Sequence, residues 1–113
     1  MSRLDYTKFR VEVTGEPSFA RFFSSLTSDS EVRKKLDKML ERLKVHPDAG
    51  DQIQRNLWPE DYKKAGFRNV FRYAVDDSKR VTYTIRMPGK FKLEVAIIEF
   101  FETHKKDERR FHY

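Results

Sequence analysis

Phe91-Lys92-Leu93-Glu94-Val95-Ala96-Ile97-Ile98-Glu99-Phe100-Phe101 is an apolar, strand-like run that feeds directly into Thr103-His104-Lys105-Lys106-Asp107-Glu108-Arg109-Arg110-Phe111-His112-Tyr113. Upstream, Phe67 to Val75 and Lys79 to Met87 read as two more strands, so the chain closes on a three-strand meander that ends in an ionisable cluster. Hairpin register sorts their side chains onto faces. A three-residue loop at Asp76–Ser78 sets Val75 opposite Lys79, Tyr73 opposite Val81 and Phe71 opposite Tyr83. Arg68, Arg72, Ala74, Arg80, Thr82, Thr84 and Arg86 then share the other face. A second three-residue loop, Pro88–Lys90, pairs Ile85 with Leu93 and Tyr83 with Val95. One face is apolar and the other basic. If the last strand stays extended, His104 joins the face of Arg72 and Arg80.

Ahead of the meander, Phe9, Val11 and Val13 alternate with Arg10, Glu12 and Thr14 until Gly15, which predicts a first strand. Pro17 suits a first helical turn, and Phe19, Phe22, Phe23 and Leu26 follow with helical spacing. Ser28 and Glu31 have capping-box spacing, and Val32, Leu36, Met39, Leu40 and Leu43 predict a second helix that stops by Pro47 and Gly50. Its other face carries Arg33, Lys34, Lys35, Lys38, Arg42 and Lys44, a pattern more often solvated than binding. Asp48 to Gly66 reads as a polar ordered loop, with Trp58 as a plug over one edge of the core. These elements predict an α+β fold, strand-helix-helix-strand-strand-strand, with two helices on one face of a four-stranded, antiparallel-dominated sheet.

The 113 residues suit one domain spanning 1–113. Lys and Arg number 24 against 18 Asp and Glu, a net charge of +6. That balance favours a polyanionic partner, nucleic acid ahead of an anionic membrane. Ten Phe, five Tyr and one Trp supply the bulk for a core. With no cysteine, a disulfide frame and a thiolate metal site are excluded, and a reducing interior imposes no penalty. No apolar leader and no stretch near ~20 apolar residues is visible, so a cytoplasmic protein without membrane association is expected.

Cutting RNA without a metal needs a base for the 2′-hydroxyl, cations for the phosphoryl oxygens and an acid for the leaving oxygen. His104, with an ordinary pKa of about 6.5, can exchange protons at neutral pH, although Lys105 and Lys106 favour its neutral form. Arg72 and Arg80 offer planar cationic forks suited to phosphate.

Three stretches carry a family resemblance: Asn69-Val70-Phe71-Arg72-Tyr73; Arg80-Val81-Thr82-Tyr83-Thr84-Ile85, similar to a YRVIYRI-like strand; and His104 to Tyr113, similar to an HKEYEKxFGY-type ending. Together with the element order, these resemble the RelE/ParE superfamily of toxins from type II toxin-antitoxin pairs. Leu57-Trp58-Pro59 through Tyr62 resembles the LWPxxY segment of a largely archaeal branch. The resemblance implies a ribosome-dependent, metal-independent messenger-RNA endoribonuclease without a cofactor, whose partners are messenger RNA, the ribosome and a cognate antitoxin protein. It implies Arg80, His104 and Lys105 as catalytic residues, and Arg68, Arg72, Lys106, Arg109 and Tyr113 as RNA contacts. Asp107 stands where the family ending has a tyrosine that is often the base or stacking group, which sets an anion beside the expected phosphate; Asp107→Tyr would then raise the rate. Tyr113 or His112, on a tail that folds back, is the candidate replacement. A non-catalytic RNA- or ribosome-binding homologue and a ParE-like topoisomerase inhibitor are the alternative readings.

Overall fold

A computed structural model describes residues 8–111 of the chain. In order these form β1 (Arg10–Gly15), α1 (Pro17–Ser25), α2 (Glu31–Val45), β2 (Asp51–Gln52), a 3-10 turn at Arg55–Leu57, α3 (Glu60–Lys64), β3 (Phe71–Ala74), β4 (Arg80–Gly89), β5 (Lys92–Phe101) and α4 (His104–Arg110). Pro17 sits in the first turn of α1, where its missing N–H has no intrahelical partner to lose. The residue that caps α2 is Ser30, not Ser28: the chain turns through a Ser30 N–H bond to the Thr27 carbonyl, and the Ser30 hydroxyl accepts from the Arg33 N–H at 3.1 Å.

Among the described residues, five strands form one sheet in the order β1-β5-β4-β3-β2. β1 runs parallel to β5, and the other neighbours are antiparallel. The class is therefore α+β with a mixed, antiparallel-dominated sheet, and the expected four strands become five. The extra strand is the two-residue β2, which pairs Asp51 with Arg72 and Gln52 with Phe71 inside the supposed loop. Two residues are too few for periodicity to reveal a strand. The same connector also folds α3.

The β3/β4 register is the expected one: Phe71 faces Tyr83, Tyr73 faces Val81, and the Val75 N–H bonds the Lys79 carbonyl at 2.9 Å. The β4/β5 register differs by two residues, with Ile85 opposite Val95 and Tyr83 opposite Ile97. The chain reverses at Lys90-Phe91 after Gly89 has paired with Lys92. A shift of two leaves Tyr83, Ile85, Val95 and Ile97 on their expected face. The turn puts Phe91 at φ 59, a costly conformation for a bulky residue, and its ring meets Phe9 edge-on at 5.8 Å.

α1 and α2 cover one face of the sheet. Phe19, Leu36, Met39 and Leu43 bury against Val81, Tyr83, Val95 and Ile97, with Phe22, Phe23, Leu40, Phe71, Tyr73 and Ile85 packed around them. The Tyr83 hydroxyl donates to the Pro47 carbonyl at 2.8 Å and accepts from the Gly50 N–H at 2.9 Å, which ties the end of α2 to the sheet. A Cβ on Gly50 would come within 2.8 Å of both the Tyr83 oxygen and the Arg72 carbonyl oxygen. Gly50 is thus required by close approach as well as being a helix stop.

The opposite face is not an open basic surface. A second core of Ile53, Trp58, Tyr62, Val70, Ile98, Phe101 and Phe111 covers much of it. Trp58 packs as a plug, its indole N–H donating to the Ile53 carbonyl at 2.9 Å. A bulge shapes this second core: Thr82 pairs with Glu99 and Tyr83 with Ile97, so Ile98 is the extra residue, Glu99 turns to the second face beside it, and Phe101 follows there. β5 does not run on past Phe101. Thr103 starts α4, so strand parity no longer assigns His104 to a face.

Leu36 has no exposed surface. Leu36→Ala is expected to destabilise the fold by about 2–5 kcal/mol, read as a lower urea midpoint at unchanged slope. An unchanged midpoint would contradict the assigned helix-facing core.

Candidate nucleic-acid interface

Thr103 is extended, and its hydroxyl accepts from the Lys106 N–H at 3.3 Å, which begins α4 one residue later. The helix is amphipathic in an unusual way. Its inward positions are Asp107 and Phe111, four residues apart, both buried. Lys105, Lys106, Glu108 and Arg109 are exposed.

Asp107 does not stand beside a phosphate site. Its side chain has no exposed surface, and Arg72 Nη1 donates to its Oδ2 at 3.2 Å, linking β3 to α4. The helix therefore hides its inner carboxylate and displays its cations. The expectation for Asp107→Tyr takes Asp107 as an exposed anion; the structure buries it, and the change would put a large ring into this buried position and remove a carboxylate that Arg72 binds.

Arg110 makes the second attachment. Its guanidinium donates to Glu99, at 3.3 Å from Nε, and to Asp61 at the start of α3, and lies 5.3 Å from the Tyr62 ring centroid. The Tyr62 hydroxyl donates to Glu99 Oε1 at 2.7 Å and bonds Thr82 Oγ1 at 2.8 Å. Burial above all, then the Glu99 carboxylate, pushes the Tyr62 hydroxyl far above the ordinary tyrosine range. The Arg110 hydrogen bond holds Asp61 below the ordinary carboxylate range.

The sequence-predicted site residues fall into separate places. Lys105, Lys106 and Arg109 stand together on α4, with Lys106 3.7 Å from the exposed Glu102. Arg72 is engaged with Asp107 as described. Arg80 lies on β4 at the hairpin, its Nη1 donating to the Asp76 carbonyl at 2.7 Å and the Lys79 carbonyl at 3.0 Å. Arg68 lines a different cleft, of about 630 Å³, with Arg86, Asn69, Glu16 and Glu94. The basic face expected to hold Arg68, Arg72 and Arg80 together is thus broken up. His104 is the first residue of α4; its side chain, His112 and Tyr113 lie outside the described residues. Sequence reasoning missed Arg110, Glu99, Tyr62 and Asp61. The available signal was Thr103 as a helix cap, with Asp107 and Phe111 at helical spacing after it.

Among the described residues, no group of three or more His, Asp or Glu side chains is arranged to hold a metal ion, and no helix is long and apolar enough to cross a membrane. The exposed cations of α4 can bind phosphate, and its buried groups can only orient them. In comparisons with known proteins, the chain matches no family model, no curated protein and no solved structure.

Breaking a buried ion pair by removing one partner typically costs about 3–5 kcal/mol. Arg72 keeps 27% of its side-chain surface in water, so Asp107→Ala is expected at the lower end, about 3 kcal/mol, by chemical denaturation. A loss under about 0.5 kcal/mol, the size of an ordinary surface change, would show that the pair does not anchor α4.

The raised Tyr62 hydroxyl gives a pH test. A pKa higher in the folded than in the unfolded state contributes stability that is full below about 10, the unfolded value, and is lost as pH rises through the folded value. The wild-type melting temperature should therefore fall more steeply above pH ~10 than that of Tyr62→Phe, which lacks the ionisable group. Parallel curves would contradict the buried setting of the hydroxyl.

Proposed function

We propose that this chain is a RelE-like toxin of a type II toxin-antitoxin pair, one domain over residues 1–113, that works in the cytoplasm as a ribosome-dependent, metal-independent messenger-RNA endoribonuclease. The observation that supports this most directly is the division of charge on α4: Asp107 is buried against Arg72, while Lys105, Lys106 and Arg109 face solvent. Asp107, which stands in place of the family tyrosine, is thus kept away from an approaching phosphate, and Glu108 is the anion exposed among these cations. The resemblance of Asn69–Tyr73, Arg80–Ile85 and the C-terminal stretch supplies the reaction class.

In this reading Lys105, Lys106 and Arg109 hold the messenger backbone, and His104 and Lys105 exchange protons with the 2′-hydroxyl and the leaving 5′-oxygen. Arg80 stabilises the charge that develops on the phosphoryl oxygens. Arg72 acts from beneath by fixing α4. The reaction transfers the phosphoryl bond from the 5′-oxygen to the 2′-oxygen of the preceding ribose, so the products carry a 2′,3′-cyclic phosphate and a 5′-hydroxyl.

A second reading, a non-catalytic RNA- or ribosome-binding homologue, is favoured by one observation. Both strand arginines are already engaged, Arg72 by a carboxylate and Arg80 by two backbone carbonyls.

Ribosomes programmed with a defined messenger separate the two. The nuclease cuts in the A site with chelator present, and His104→Ala and Arg80→Ala abolish cutting while the circular dichroism spectrum is unchanged. Messenger that stays intact under wild-type protein, while the protein co-sediments with ribosomes, would replace the nuclease by the binding homologue. Intact messenger with neither ribosome association nor RNA binding would overturn both.

A further inference from the structure

α2 carries Lys35, Lys38 and Arg42 on one face, spaced by three and four residues. They do not stand on an open helix surface. With Met39, Tyr73 and Val75 they line a groove of about 490 Å³ between α2 and β3, and no carboxylate belongs to its lining. The clefts beside α4 and β4 differ in this respect, since Glu99 and Glu102 line one and Glu16 and Glu94 the other.

The acids nearest in sequence are committed elsewhere. Asp37 pairs with Arg33 at 3.4 Å and Glu41 with Lys44 at 3.7 Å. Asp76, at the β3/β4 hairpin, reaches Lys35 at 2.7 Å and Lys79 at 3.4 Å, and so closes one end of the groove. Lys38 and Arg42 are exposed and make no ion pair with any described residue. Two uncompensated cations, a third that keeps 43% of its side chain exposed, and a half-buried tyrosine thus share one concavity.

We infer that this groove is a second RNA-contact site, which takes a short single-stranded segment with phosphates on Lys38 and Arg42 and a base against the Tyr73 ring. Cations alone would suit any polyanion; the half-buried Tyr73 ring in the lining adds an aromatic surface for base stacking, the combination that recognises single strands without reading sequence. From Lys35 to Arg42 the helix rises about 10 Å at ~1.5 Å per residue, room for two or three nucleotides. The site lies on the helix-covered side of the sheet, and the inference does not rest on the nuclease reading or on the α4 surface.

Fluorescence anisotropy of a labelled single-stranded RNA across a salt series tests it. Each phosphate contact contributes roughly 0.7 to the slope of log affinity against log salt, so Lys38→Gln with Arg42→Gln should reduce the slope by about 1.4. Tyr73→Leu should weaken binding roughly 5- to 150-fold, the loss of one stacked base, while Tyr73→Phe retains it. The parallel Lys105→Gln, Lys106→Gln, Arg109→Gln variant reports on α4 alone. If only that variant changes the slope, the groove is not an RNA site and the α4 reading stands; if only the α2 pair does, the reverse holds. Loss of labelled polyglutamate binding without loss of RNA binding in the α2 pair would make the groove a site for an acidic protein and overturn the inference, as would wild-type protein that binds neither.

Discussion

Burial of β5 on both faces is the constraint on which the rest of the molecule depends. Val95 and Ile97 face the α1/α2 layer, whereas Ile98 and Phe101 face the Trp58 layer, and all four are nearly or fully inaccessible to water. Alternation along an unbroken apolar run sends successive side chains to opposite layers, Val95 and Ile97 to one and Ile98 to the other. The bulge at Ile98 then shifts the parity, so that Phe101 joins the second core and Phe100 packs against the first while β5 keeps its pairing with β4. It also aims Glu99 beneath α4, where Tyr62 and Arg110 meet it.

That geometry makes α4 part of the folded body. Phe111 enters the second core edge-on to Tyr62 at 5.3 Å and to Phe101 at 6.3 Å. Asp107 takes Arg72, and Arg110 takes Glu99 and Asp61. Once these residues are turned inward, helical periodicity leaves Lys105, Lys106 and Arg109 outside together with the acid Glu108. The positive surface at the end of the chain is thus a by-product of how the helix is anchored, and the internal ion pairs hold it in place. A chain with a net charge of +6 then presents cations on two sides of its sheet, on α4 and on α2.

Much of the fold was legible in the sequence because its signals are long and periodic. The phenylalanine stripe of α1, the apolar positions of α2 and the Asp76–Ser78 hairpin each specify partners that the structure brings together. The site was legible only in part. Arg68, Arg72 and Arg80 share a strand parity, yet parity records the face on which a side chain starts and not what it then meets: an aspartate, two carbonyls and a separate cleft. The basic tail read as an extended continuation because nothing before Thr103 marks a stop, and a capping hydroxyl is a weak signal beside eleven residues of strand-like pattern. The buried attachments of α4 were hidden for another reason. They join Asp61 and Tyr62 of α3, Arg72 of β3 and Glu99 of β5 to one helix turn, a convergence of three elements that no local spacing encodes.

The most direct test of the central claim is a backbone-amide NMR titration of the whole chain with single-stranded RNA at low salt. The expected result is a set of shifts concentrated on α4, from Lys105 to Arg109, and along the α2/β3 groove at Lys38, Arg42 and Tyr73, with little change around Arg68 and Arg86. Shifts centred on the Arg68 cleft, or none at saturating RNA, would contradict it.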